Sequence, residues 1–285
     1  MSHRTAHRLP LLKLTRPLFA LTLACVAALA SACSAPAGSD PSADPALPSA
    51  GASAVGGAAS AAGAGGAGTP ALNPLGRARC RAPVGVSASP QNTEEAVQLL
   101  NSLPKPTGSA CFIESLDRPL AIYATDSMFS AQPAFSRISP RVFIKLGALW
   151  VSAVMDGDSS YLLEFGTQVA DAPPRSIKGE LLLPINAAIP TSAPYDRVRE
   201  ENEGTVCGLC HAAETRADNI AFAVAFSSAS LRPRPDSQVS VDDLRSEAAR
   251  CDWQLEPHRC EMLAAVFGGG SVVDAQFPDG MPTFF

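Results

Sequence analysis

Histidine is scarce in this 285-residue sequence: four in all, with His3 and His7 at the very start. Only His211 and His258 remain beyond them, and no Gly-x-Ser-x-Gly elbow is present, so a serine-hydrolase arrangement has little to draw on. Walker A and dinucleotide fingerprints are also absent. The carboxylates are scattered, which leaves only a carboxylate-pair glycosidase open among hydrolases. We therefore read no catalytic constellation and do not expect an enzyme. Nor is there a cluster of Lys and Arg, which excludes a nucleic-acid footprint and a polybasic lipid-binding patch. No segment repeats at periods of 20 to 50 residues.

Charge is distributed unevenly. Arg4, Arg8, Lys13 and Arg16 lie in a leading stretch without a single acid, followed by the apolar run Leu18–Ala32. That run is too short to span a bilayer and ends in small residues, the pattern of a secretory signal. Beyond it, 18 basic residues face 27 acidic ones, a net charge of −9. The run closes Leu29-Ala-Ser-Ala-Cys33-Ser, which resembles the lipobox of bacterial lipoproteins. The resemblance implies cleavage after residue 32 and a lipid on Cys33. It also implies anchoring to a membrane facing the periplasm or cell surface, with the outer membrane favoured because Ser34 replaces the Asp of inner-membrane retention. Residues 33–76 hold the anchor cysteine and an Ala/Gly/Ser/Pro tract that cannot bury enough surface to fold. As a disordered tether it would reach about 30–40 Å.

Six cysteines remain after Cys25 and Cys33: Cys80, Cys111, Cys207, Cys210, Cys251 and Cys260. In an oxidising compartment an even number favours disulfides. Spacing favours Cys80–Cys111 and Cys251–Cys260, leaving Cys207 and Cys210 as the remaining pair. The fold they support reads as α+β and β-rich, an antiparallel sandwich or partial barrel with a few helices, mostly C-terminal. Asn92 opens a helix that Pro104 ends. Short strands are expected at 110–116, 120–125, 141–146, 149–155, 161–167 and 177–183, with another from Asn219 to Phe226, where the alanines leave a helix open. Helices follow from Ser240 and from Pro257 to Phe267, the last stopped by Gly268-Gly-Gly. Residues 77–204 form the β-rich region and 205–285 a second region, in the same domain or its own.

The sharpest motif is Thr205-Val-Cys207-Gly-Leu-Cys210-His211. Two thiols three positions apart reach the two vinyl groups of one haem, with the next His facing iron. The motif resembles the haem-attachment site of c-type cytochromes, and the late Gly280-Met281-Pro282 resembles their second-ligand loop. The resemblance implies haem c on Cys207 and Cys210, His211 as proximal ligand and Met281 as distal ligand. It also implies electron transfer with a periplasmic redox partner. His258 is an alternative distal ligand. The competing reading is a non-enzymatic binding or structural lipoprotein of the cell envelope. There Cys207–Cys210 is a third disulfide, His211 a surface residue and Met281 ordinary packing. Zinc on Cys207, Cys210, Cys251 and Cys260 is disfavoured by the oxidising compartment. A thioredoxin-like dithiol is disfavoured by its place after antiparallel strands.

Overall fold

A computed structural model describes residues 79–171, 173–200 and 204–284. The leader, Cys33 and the tether lie outside the described residues. In chain order the elements begin with α1 (Thr93–Ser102) and α2 (Ser109–Ser115). The strands β1 (Leu120–Thr125), β2 (Arg141–Leu146), β3 (Leu149–Val154), β4 (Leu162–Val169) and β5 (Arg175–Leu182) follow. Then come α3 (Ala193–Val198), β6 (Arg199–Glu200), β7 (Gly204–Thr205), α4 (Gly208–His211) and β8 (Thr215–Arg216). The chain ends with β9 (Phe226–Ala229), β10 (Gln238–Val239), α5 (Val241–Arg250), α6 (Pro257–Phe267) and β11 (Val272–Asp274). This is the β-rich α+β class expected from the sequence.

One sheet carries nine strands in the order β10-β1-β2-β3-β4-β5-β9-β8, with β11 also on β1; β6 and β7 pair separately. Every pairing on that path is antiparallel, and only β11 runs parallel to its neighbour. Alternation divides the sheet into two faces. Ile122, Ile144, Val151 and Leu163 point into one core together with Val97 and Leu100 of α1, Phe112 of α2 and Leu263 of α6. Each such side chain left in water would cost about 1.5–3 kcal/mol. The opposite face carries Tyr123, Phe143 and Trp150, on which Phe277 lies; its ring stacks on Trp150 with centroids 4.6 Å apart.

Local signals explain the helix ends. Asn92 accepts a hydrogen bond from Glu95 N at 2.9 Å while Glu95 accepts from Gln91 N at 2.8 Å, a capping box shifted by one residue. Ser240 caps α5 by accepting from Asp243 N at 3.0 Å. The last carbonyls of α6 receive the Arg118 guanidinium, which donates to Ala265 O and Val266 O at 2.6 Å each.

Two expected strands are not strands. Residues 110–115 lie in α2 instead, and Leu116 follows it. A strand would place Glu114 on the same face as Phe112 and Leu116. The helix buries Phe112 and Ile113, sends Cys111 to Cys80, and lets Glu114 accept from Cys80 N at 3.0 Å. From Asn219 to Phe226 the chain runs through turns, and only Phe226 enters β9. Its large residues Ile220, Phe222 and Val224 alternate as a strand's would, but β9 finds just three partners on β5, Arg175–Ile177, and two on β8, so pairing begins only at Phe226.

Candidate functional site

The CxxCH segment follows the β6–β7 hairpin and forms the single turn α4. Glu214 fixes it from below by accepting from Thr205 N at 2.7 Å and Thr205 Oγ1 at 2.6 Å. Thr205 Oγ1 in turn accepts from Cys207 N at 3.1 Å, so that Cys207 starts the turn. Gly208 lets the Glu214 carboxylate lie close, since a Cβ there would come within 2.8 Å of it and push it aside. Cys210 N and His211 N donate back to Cys207 O at 3.1 and 2.9 Å.

Ala212 and Ala213 then take φ of 45° and 47°, the left-handed region that alanine avoids at about 1–2 kcal/mol per residue. Arg175 holds the strained turn by donating to Ala213 O at 2.7 Å. Consecutive left-handed alanines beside the motif are the kind of stored strain that clusters at functional sites.

The His211 ring lies 2.8 Å through Nδ1 from Ala229 O. Burial first, then Lys178, lowers its pKa to about 3, against the contrary effect of the Ala229 bond. The ring is therefore neutral at physiological pH. A carbonyl only accepts, so Nδ1 carries the proton and Nε2 keeps its lone pair.

Cys207 is half-buried and Cys210 exposed, and both are free thiols. Burial pushes the Cys207 thiol up, with Thr205 and Lys178 acting in the opposite direction. Lys178 is driven down to about 8, chiefly by burial.

Met281 is 4% exposed, yet belongs to none of the three apolar clusters. Its loop is fixed by Arg232 N donating to Pro282 O at 2.9 Å. Met281 and His211 thus hang on one short segment, residues 229–232, about 10 Å long when extended. His258 stands elsewhere, on α6 with its ring against Tyr161 at 5.9 Å.

The remaining cysteines are used up in Cys80–Cys111 and Cys251–Cys260, the pairing that spacing favours. Cys251, Glu256 and Cys260 gather their ligand atoms within 4.8 Å. The two sulfurs are bonded to each other, and Arg259 donates to Glu256 at 2.6 Å. A cation already occupies that corner, and four thiolates for zinc do not exist. No described helix is long and apolar enough to cross a membrane.

The motif alone did not reveal Lys178 or Glu214. The one signal in the sequence was a Lys in the middle of a strand whose alternate residues are apolar. The donor types that a covalently held porphyrin needs are present: two unbridged thiols, a neutral imidazole whose Nε2 keeps its lone pair, and a buried thioether whose loop is bonded to Arg232. No protein-family model, curated protein or solved structure matches this chain.

Proposed function

We propose that this chain is an exported lipoprotein, lipidated at Cys33 and facing the periplasm or cell surface. It carries haem c on Cys207 and Cys210 for electron transfer with a periplasmic partner. One observation carries the reading: four of the six cysteines are bridged, while the two of the CxxCH motif stay as thiols beside a histidine with a free Nε2. A structural lipoprotein with all six cysteines bridged does not account for that selectivity.

The residues divide the work. Ala229 O fixes the His211 tautomer and ring orientation, as carbonyl partners do for metal-bound imidazoles. Glu214 and Thr205 set the turn that spaces the thiols. Met281 would offer a thioether, the ligand type that raises a haem potential. When bound, haem supplies one-electron exchange.

The test is production in cells that carry the cytochrome c maturation machinery. The protein should be red, keep its colour through denaturing electrophoresis and gain the mass of one porphyrin. Cys207→Ala with Cys210→Ala should abolish all three. Colourless wild-type protein from such cells would sink the reading in favour of the structural one.

A further inference from the structure

Lys178 lies on β5 one residue past its pairing with β9. Across the sheet it stands in register with Gly166, and Gly166 with Trp150. Gly166 has no side chain, and a Cβ there would meet only Ser176, at 3.6 Å or more. The sheet face therefore has a gap floored by backbone, with Trp150 on one side and Lys178 on the other.

Among the described residues the ammonium of Lys178 has no hydrogen bond and no ion pair. Its acidic neighbours are already engaged. Glu164 pairs with Arg141 at 2.5 Å, Glu180 with Arg197 at 2.6 Å, and Glu214 binds Thr205 through both oxygens. A half-buried cation without a partner is costly, and supplying the partner recovers that cost.

We propose that Lys178, beside the gap at Gly166, is the binding site of a single carboxylate from outside the polypeptide. The charge balance selects a monoanion. Lys178 is the unpaired cation at the gap itself: Arg141 is committed to Glu164, Ser152 and Ser130, and the exposed Lys145 lies over the Trp150 ring at 5.9 Å. Ser176 and Ser230, whose hydroxyls lie 3.1 Å apart, border the gap with polar groups. Two sources carry this chemistry: a free small organic acid, or a propionate of the porphyrin if the haem reading holds.

The experiment follows the Lys178 Nζ and Gly166 amide resonances at fixed pH in a constant sodium chloride background. Colourless protein is titrated with acetate, and haem-loaded protein is compared without it. A saturable shift with acetate assigns the site to free carboxylates. A shift on haem attachment alone assigns it to a propionate. In the first case Lys178→Met should weaken acetate binding at least tenfold. The proposal is overturned if neither treatment moves Lys178, or if Lys178→Met binds acetate as well as wild type does. Haem loading is read separately by absorbance. If no haem is taken up, the acetate arm alone decides.

Discussion

The helix-backed half of the sheet and the corner around β5 and β9 use the same elements for opposite ends. In the first, Val97, Leu100, Phe112, Ile144 and Leu163 are wholly buried, and both disulfides attach to that core. In the second, the local apolar cluster is small, Ile177, Tyr195, Ala217 and Ala225. Leu209 and Val206 there face solvent, and two alanines are strained. Its order comes from Glu214, Arg175 and Ala229 rather than from packing. Sulfur follows the division: cysteine crosslinks where the core is deepest and stays a thiol where charge collects. A corner held by a few directional bonds around strained backbone is free to present chemistry, because the other half supplies the stability.

The comparison breaks most visibly in the stapled half. Arg259 is 3% exposed through its side chain and joins Glu247 at 2.5 Å and Glu256 at 2.6 Å, while its Nε donates to Ile138 O. Removing Arg259 takes the buried partner from Glu247 and leaves it only the exposed Arg250. Arg259→Ala should lower the unfolding free energy by about 3 kcal/mol, the low end for a broken buried pair because Arg250 still holds Glu247, measured by urea denaturation, and leave the Lys178 and His211 resonances in place. A loss under about 1 kcal/mol would show that the pair is hydrated and outside the cooperative core.

Lys178 gives the opposite sign. Its folded pKa near 8 lies below the ordinary 10.5 of lysine. Between those values the unfolded chain binds more protons than the folded one, so stability rises with pH across that window. Below pH 8 both states are protonated and the full burial penalty applies. Lys178→Met should therefore stabilise the colourless protein at pH 7 by about 1–3 kcal/mol, a range discounted for partial exposure. The advantage should fade as pH rises toward 10.5. A destabilised variant, or an advantage independent of pH, would mean that Lys178 is already paired in solution.

Much of the stapled half was readable in advance. Strands at 120–125 and 141–146 keep the expected bounds because alternating large side chains and tight turns leave one register. Helix α6 does so because Pro257 opens it and Gly268 closes it. The segment 110–116 was misread because a seven-residue apolar run has no period long enough to separate helix from strand. What decided it was Glu114, which a strand would have buried. At the corner, sequence supplied Cys207, Cys210, His211 and Met281. It did not supply Lys178, Glu164 and Arg141, whose meeting depends on register across four strands, β2 to β5. Nor did it reveal the strain at Ala212 and Ala213, which nothing in their side chains encodes.

The smallest effect carries the sharpest discrimination. Losing Cys80–Cys111, which closes a separation of 31 residues, should cost about 3–4 kcal/mol by loop entropy. Cys207→Ser with Cys210→Ser removes no crosslink, since neither thiol is bridged. In colourless protein that double variant should stay within about 1 kcal/mol of wild type, because it exchanges two thiols for hydroxyls at half-buried and exposed positions. Paired urea melts of the two double variants under non-reducing conditions make the measurement. If the serine variant instead lost as much as the Cys80/Cys111 variant, residues 207 and 210 would be joined in solution. No thiol would then remain for a porphyrin, and the contrast between crosslinked core and reactive corner would disappear with it.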